Sequence, residues 1–329
     1  MAKARAIVKR RKSIRNIRKI TKTMQMIATA NFQKSLKRSV STKPYIMKVR
    51  EIVTELADSV ENVTHPLLRR PGVNQADVLS NRAAVIVLTS NRGLAGGYNG
   101  SVLRTASAHL RELDAAGTSV DLYVSGKKGI SYFRFRNRPL AGQVEQQDPP
   151  LYADIERHAD TAMRRFTAGE VDAVYVVYMN FVSTGIQRPE VLTLLPLSGL
   201  RESLERIALQ VAEKEAQLSA GALDVRRRGD DVIAESAATA GTTIYDFSPS
   251  VDELVDELLP LTVKTALWLC VLDAATSEHI ARMVAMKSAT DSADKVSKSL
   301  TMQYNRARQS QITTELSEIM GGVEAMKGS

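Results

Sequence analysis

The sequence predicts an α/β protein with long terminal helices: an antiparallel coiled coil of N- and C-terminal helices plus a central Rossmann-like open α/β domain. The helices are predicted by two observations, one at each end of the 329-residue chain. At both ends, apolar and small residues recur at alternating spacings of three and four. A third predicts the central domain, where short apolar runs alternate with helical stretches. The predicted segments are a helix in 1–65, an α/β domain in 83–198, an insertion in 199–243 and a helix in 251–325.

The N-terminal helix is predicted over residues 3 to about 63. Pro44 is expected to bend this helix without ending it, since the apolar spacing resumes at Ile46. Half of the predicted contact stripe is small or polar, which lets a partner helix approach closely. The stripe contains Ile14, Ile17, Thr21, Met24, Ala28, Asn31 and Ser35, and is widened by Ile20 and Ile27.

The central domain is predicted to contain an open, mostly parallel sheet covered by helices. A linker over 65–80, which contains two prolines and a glycine, leads into it. Strands are predicted at 83–89, 119–124, 171–178 and 191–195, and helices at 101–115, 127–135 and 152–167.

The C-terminal helix repeats the spacing of the N-terminal one, so the two stripes are expected to pair. About 60 residues preceding Gly321 and Gly322 correspond to a helix of order 90 Å, longer than a domain is wide. The insertion before it combines an amphipathic helix with a Gly/Ala/Arg-rich stretch. The predicted stripe contains Met283, Met286, Thr290, Ala293, Ser297, Leu300, Tyr304, Ala307 and Gln311.

Charge is divided unevenly along the chain. Residues 1–50 contain 16 Lys and Arg and no Asp or Glu, whereas the remainder contains 29 basic and 36 acidic residues. Such an arm indicates an anionic partner, which could be nucleic acid, a membrane surface or an acidic protein loop. A DNA-binding basic region is polar all round, and the apolar stripe therefore favours a helical protein partner over nucleic acid.

A glycine-rich segment at 91–100 follows a predicted strand and precedes a predicted helix, where a phosphate-binding loop would lie. It lacks the Lys-Ser/Thr pair of a Walker loop and the first two glycines of a dinucleotide fingerprint. We therefore predict that its glycines serve a tight turn. An α/β enzyme that used this loop would bind a nucleotide or cofactor, and neither is expected.

No metal, catalytic or disulfide site is predicted. Cys270 lies in an apolar run and is expected to be a buried hydrophobe. The absence of an apolar signal core and of a long uncharged apolar run favours a reducing, cytoplasm-like compartment. The four histidines lack the spacing of metal ligands; they are His65, His109, His158 and His279.

Three ordered stretches resemble the γ subunit of bacterial F-type ATP synthases. Residues 14–30 (IRNIRKITKTMQMIATA) are similar to the N-terminal helix of that family, and residues 89–99 (TSNRGLAGGYN) to its strand-loop signature. Residues 281–289 (ARMVAMKSA) and 304–319 (YNRARQSQITTELSEI) are similar to its C-terminal signature. The likeness covers nearly the whole chain except the insertion.

The resemblance implies a non-catalytic rotor without bound cofactor, present as a single copy per complex. The paired helices would turn inside a head of α and β subunits, which hold the nucleotides. The α/β domain would sit on the membrane ring of c subunits beside the ε subunit. The complex would lie on the cytoplasmic face of the cell membrane as a peripheral assembly, without nucleic acid.

The resemblance also assigns contact residues by position. Met24 matches the methionine that faces an acidic loop of the β subunits. Arg308, Gln309 and Thr313 match a polar group that contacts another β-subunit loop. Tyr245 matches a residue that faces the membrane ring.

Two features depart from the common pattern of that family. Ala95 stands where many members have cysteine. The insertion at 199–243 is placed like the extra segment of chloroplast and cyanobacterial relatives but contains no cysteine, which leaves thiol regulation without support. We hypothesise that the insertion limits wasteful ATP hydrolysis by hindering rotation in one direction.

Overall fold

The computed structural model of the chain describes residues 2–59, 65–68, 80–144, 147–197 and 251–327. Long helices open and close the chain, and five strands and three shorter helices lie between them. In chain order the elements are α1 (Ala2–Ser59), a 3₁₀ turn (Pro66–Leu68), β1 (Arg82–Leu88), α2 (Tyr98–Ala115), β2 (Ser119–Ser125), α3 (Lys127–Phe135), β3 (Gly142–Val144), α4 (Tyr152–Thr167), β4 (Ala173–Phe181), β5 (Gln187–Leu195) and α5 (Val251–Lys327).

The five strands form one sheet in the order β3-β2-β1-β4-β5. Strand β1 runs parallel to β2 and β4, and β2 runs parallel to β3, whereas β4 and β5 are antiparallel. The prediction of an open, mostly parallel α/β sheet is confirmed. Strand β3 was not predicted, because three residues are too few to show a periodic pattern.

The sheet is buried on both faces in its centre, which explains the uninterrupted apolar run of β1. Six of the seven β1 residues are buried. Ala84, Ile86 and Leu88 point into one core together with α4 and the first part of α5. Phe166 of α4 is fully enclosed there. Burial of one such side chain stabilises a fold by about 2–3 kcal/mol.

The first part of α5 is a core helix. Its 18-residue apolar window, within Asp256–Gly321, has the length and composition of a membrane-crossing segment, but 67% of it is buried inside the protein. Cys270 is 2% exposed, which confirms its prediction as a buried hydrophobe.

The chain divides into two compact units. The helical unit comprises Met1–Asn31, Leu94–Gly96 and His279–Ser329. The sheet unit comprises Phe32–Gly93 and Gly97–Glu278. Both long helices contribute residues to both units.

In the helical unit, α1 and α5 pair in antiparallel directions. Thr290 Oγ1 donates a hydrogen bond to Thr21 Oγ1 at 2.8 Å. Arg18 forms an ion pair with Asp294. The Arg11 guanidinium carbon lies 5.0 Å from the ring centroid of Tyr304. Partner numbers rise on α5 as they fall on α1, so the predicted antiparallel coiled coil is confirmed.

The α5 contact stripe is the predicted one, because Met286, Thr290, Ala293 and Leu300 are all buried. The α1 stripe is partly wrong. Thr21 and Ala28 are buried as predicted, but three predicted members are exposed: Ile17 at 46%, Ile20 at 59% and Ile27 at 53%. The face of α1 that carries Thr21 and Ala28 meets α5. Ile17, one turn before Thr21, lies on that face but stays 46% exposed, whereas Ile20 and Ile27 lie at its flank.

Helix α5 continues through Gly321 and Gly322 to Lys327, two residues beyond its predicted end at 325. Glycine lowers helix propensity by about 1 kcal/mol relative to alanine but keeps its N–H donor, so two glycines weaken a helix without stopping it. Helix α1 likewise continues through Pro44 to Ser59.

Candidate functional site

The glycine-rich segment follows β1 in the sheet unit, at the carboxyl end of the parallel strands. Here the strand order reverses, and open α/β sheets often bind ligands at such a position. The first three amides of α3, which could hold an anion, already donate to oxygens of the residues after β1. The bonds run from Gly129 to Thr89 Oγ1 (2.9 Å), from Lys128 to the Ser90 carbonyl (3.2 Å) and from Lys127 to Asn91 Oδ1 (3.2 Å).

The tip of the same segment belongs to the helical unit and packs on α5. Ala95 is 2% exposed. Gly96 has φ +54°, and a Cβ there would lie 3.6 Å from the Cβ of Ala285 and 3.8 Å from the carbonyl oxygen of Ala281. Gly96 thus serves a turn and close packing against α5, as predicted for the glycines of this segment.

The histidines take structural positions. His109 packs edge-on against Tyr175, with ring centroids 4.6 Å apart. His65 Nδ1 accepts a hydrogen bond from the Leu67 amide at 3.1 Å. Burial lowers the pKa of His65, and nearby Asp256 offsets part of that effect. Among the residues that the structure describes, no group of three or more metal-binding side chains occurs.

The predicted β-subunit contacts all lie in the helical unit. Arg308, Gln309 and Thr313 are exposed on α5, and Thr313 Oγ1 donates to the Gln309 carbonyl at 3.0 Å within the helix. Met24 is half-buried on α1, three residues from Thr21. Arg308 follows Thr290, the partner of Thr21, by 18 residues, so Met24 and Arg308 are separated by about 30 Å along the helices.

Three sequence predictions lie wholly or mostly outside the described residues. They are Tyr245, the predicted ring-facing residue, the insertion at 199–243, and the linker predicted over 65–80, of which only 65–68 and 80 are described.

The exposed surface of α1 near its start is strongly basic. Its first turn contains no acidic residue. Among the described residues, no carboxylate lies within ion-pair distance of four exposed cations. These are Lys9, Arg10, Lys12 and Arg15.

The sequence reasoning missed an apolar stripe near the end of α5. Four exposed side chains recur at spacings of four, three and four, which places them on one helix face. The signal was present in the sequence, but the predicted stripe ended at Gln311. The residues, called the terminal stripe below, are Ile312 (51% exposed), Leu316 (57%), Ile319 (65%) and Val323 (48%).

Comparison with known proteins agrees with this architecture. A family model described as ATP synthase matches residues 3–326. Similar proteins include the ATP synthase gamma chain of Rhodopirellula baltica, 42% identical over the full length of both chains. Another is the ATP synthase gamma chain of Nocardia farcinica, 35% identical over 100% of this chain and 99% of that one.

Solved structures share the fold at low sequence identity. A chain of the Euglena gracilis mitochondrial ATP synthase, solved as OSCP/F1/c-ring, has a TM-score of 0.60 at 16% identity and covers 99% of this chain and 95% of its own. A chain of the rotor of the same enzyme has a TM-score of 0.56 at 15% identity, covering 94% and 99%. The chain described here thus belongs to the ATP synthase gamma-chain family, whose members form the rotor stalk and not the catalytic subunits.

Proposed function

We propose that the paired helices turn inside a head of α and β subunits, and that their exposed surface transmits this rotation to the β subunits. The observation that carries the proposal is the antiparallel pairing of α1 and α5. The pairing buries Thr21 and Thr290 and leaves Arg308, Gln309 and Thr313 exposed. A stiff pair of helices with polar side chains on its outer surface is suited to transmitting rotation to the loops of surrounding subunits.

Charge at the start of α1 supports an acidic partner in the head. Like charges three or four residues apart on a helix destabilise it by about 0.2–0.5 kcal/mol per pair, as between Lys9 and Lys12 and between Lys12 and Arg15. Lys9, Arg10, Lys12 and Arg15 have no carboxylate partners among the described residues. An acidic loop of the β subunits, which Met24 would also face, would offset this cost through charge complementarity.

Arg308 is suited to a specific contact, because its guanidinium group offers several donors in a fixed plane. Gln309 adds an amide donor and acceptor on the adjacent position, and Thr313 lies one turn further along. All three are exposed and thus accessible to a carboxylate or carbonyl of a β subunit.

The terminal stripe supports a second kind of contact with the head. Contiguous exposed apolar residues usually mark an interaction surface. Leu316 and Ile319 are 57% and 65% exposed, and a surrounding apolar collar would remove them from water while leaving the helix free to turn.

The remaining partners follow from the family. The solved relative from Euglena gracilis belongs to a complex with a c-ring, and the one from Tetrahymena thermophila is described as central stalk/c-ring. We extend this arrangement to the present chain: one copy per complex, bound to a c-subunit ring through a foot that includes Tyr245, beside an ε subunit, at the cytoplasmic face of the cell membrane.

The insertion at 199–243 is proposed to restrict ATP hydrolysis. Its support is its position and the amphipathic pattern of its first part. Deletion of 199–243 is expected to raise ATP hydrolysis by the assembled complex while ATP synthesis continues. Unchanged hydrolysis would reject the restriction.

The contact assignment is tested by the double substitution Arg308→Ala/Gln309→Ala. Loss of a hydrogen bond to a charged group costs about 1.5–3 kcal/mol, so ATPase activity of the reconstituted head should fall by roughly tenfold or more. The unfolding free energy of the isolated chain should stay the same, because both residues are exposed. Arg111→Ala, at an exposed position on α2, is the control. Full activity in the double variant would reject the assignment.

A further inference from the structure

The described part of the contact between α1 and α5 includes a buried polar pair. Thr21 is 9% exposed and Thr290 is 6% exposed. Thr290 Oγ1 lies 2.8 Å from Thr21 Oγ1 and also 2.8 Å from the Met286 carbonyl of its own helix, and its one proton can be donated to either. Thr21 Oγ1 donates to the Arg18 carbonyl at 3.1 Å. The neighbouring buried positions of the same stripes, Ala28 and Ala293, have no hydrogen-bonding side chain.

We propose that Thr21 and Thr290 are positioning residues that fix the axial register of α1 against α5 in the rotating shaft. This deepens the proposed function, on which it rests. Apolar and small side chains pack acceptably in several registers. Each threonine hydroxyl also reaches a carbonyl of its own helix, so the preference for one register comes from the additional hydrogen bond between the helices.

The cost of a wrong register can be read from the sequence. A slip of one heptad shifts one helix by about 10 Å. In one direction Thr21 would lie opposite Met283, which offers no hydroxyl group. In the other direction it would lie opposite Ser297, but Arg18 would then move from Asp294 to Thr301 and lose its ion pair.

Two exposed contacts agree with the register of the buried pair but are weaker determinants of it. The side chains of Arg18 and Asp294 are 50% and 41% exposed, so their ion pair contributes at most about 1 kcal/mol. Arg11 stacks over Tyr304 at a similarly accessible position. The threonine pair opposes the slip toward Met283, and the Arg18–Asp294 ion pair opposes the slip toward Ser297.

Register matters because it sets where the two contact regions of the shaft lie. Met24 is fixed relative to Thr21 on α1, and Arg308 is fixed relative to Thr290 on α5. A one-heptad slip would change their axial offset by about a third of its length. Rotation of the shaft would then bring Met24 and Arg308 to the head at an axial separation that no longer matches their contact sites.

The test measures register directly by disulfide trapping in the assembled complex. Ile14 and Ser297 each lie one heptad from the threonine pair, so Ile14→Cys/Ser297→Cys reports the native register. Ile14→Cys/Tyr304→Cys reports a slipped one. A disulfide needs Cα atoms about 4.4–6.8 Å apart, so one heptad of slip abolishes it. Cys270 is replaced by alanine in both.

The test variant is Thr21→Val/Thr290→Val, which keeps side-chain volume and removes both hydroxyls. The matched control is Thr23→Val/Thr301→Val. The Thr23 and Thr301 hydroxyls donate to carbonyls of their own helices, at 3.0 Å and 2.9 Å, so the control removes the local bond alone. The serine pair Thr21→Ser/Thr290→Ser retains the hydroxyls.

We expect the valine pair to reduce the native-register disulfide at least threefold, to produce the slipped one and to lower ATP synthesis per unit of ion-driven turnover. The serine pair should restore all three, and the control should match the parent. A native yield equal to the parent overturns the proposal. If the valine pair does not assemble, Thr290→Val alone is measured by the same criterion. Because trapping reads register and not head contact, failure here leaves the Arg308 and Gln309 test independent.

Discussion

A Cβ atom at Gly126 would lie 2.1 Å from the carbonyl oxygen of Thr89, well inside contact distance. Gly126 also has φ +87°, a conformation that side-chain-bearing residues rarely adopt. The Thr89 amide donates to the Ser125 carbonyl at 3.0 Å, which brings the ends of β1 and β2 together. The glycine thus permits the approach that places the start of α3 against the end of β1.

Gly126→Ala is therefore expected to lower the unfolding free energy by about 3 kcal/mol or more, since backbone must move as well as adopt a strained φ. Gly117→Ala is the matched control: φ is +74° there, but nothing lies within 4 Å of the added Cβ. It should cost only about 1 kcal/mol. Urea unfolding of both variants measures the difference, and equal costs would contradict the close approach.

Asp121 should make stability depend on acid pH. Burial acts to raise the pKa of Asp121, but hydrogen bonds from Arg165 and Arg82 outweigh it, so the pKa lies below its usual value. A carboxylate with a depressed pKa stabilises the fold above its unfolded pKa of about 3.9, and this contribution is lost as pH falls through the folded pKa. Unfolding curves measured from pH 6 down to pH 2 should therefore lose this contribution below about pH 4.

Asp121→Asn should cost about 1–3 kcal/mol at pH 7 and flatten that acid dependence, because Arg165 loses a charged partner. Asp114→Asn is the control. The Asp114 side chain is 44% exposed beside Arg138, and its ion pair contributes at most about 1 kcal/mol. A larger loss at Asp114 than at Asp121 would contradict the assigned difference in burial.

Leu316→Ser/Ile319→Ser should separate head binding from stability. Both side chains are exposed, so the unfolding free energy of the isolated chain should change by less than about 0.5 kcal/mol. Binding to the reconstituted head should weaken by roughly tenfold through lost apolar burial. Titration calorimetry measures it, with Phe135→Ser as control at an 86% exposed position in the sheet unit. If the parent and the double variant bind the head with equal affinity, the terminal stripe is not part of the interface.

Neutralising cations near the start of α1 should have opposite effects on helix stability and on head binding. Lys9→Gln/Lys12→Gln should stabilise the helix by a few tenths of a kcal/mol, because repulsion between like charges three residues apart is removed. The same change should weaken head binding and reduce the dependence of affinity on salt. Lys34→Gln/Lys37→Gln, exposed but far along α1, removes a similar repulsion and should stabilise the helix to a similar extent without weakening head binding. Unfolding and binding measured at 50 and 300 mM salt test both signs.

The sequence was informative where one period dominated. The bounds of α3 and α4 are those predicted, and the buried members of the α5 stripe were all among its predicted residues. It was less informative where an element is short or has two apolar faces. Strand β3 has three residues. The helical period is also met by Ile17, Ile20 and Ile27. Whether each of them is buried depends on how α1 packs against α5, which the period does not determine.

The contact residues could be assigned only by resemblance. Arg308 and Gln309 are exposed and polar, as most residues on a solvated helix are, and no local pattern singles them out. The terminal stripe, by contrast, has a spacing that could have been found by continuing the periodic count beyond Gln311.

Helix α5 runs through 77 residues without a break and contributes to both compact units. A twisting load applied to α5 is therefore carried along the helix by its backbone hydrogen bonds, one of which is missing at Pro260 because proline has no amide donor. Torsional compliance is accordingly a property of the helix itself. A second interior proline, at Thr276 in addition to Pro260, would remove a further backbone hydrogen bond and raise the torsional compliance of the helix.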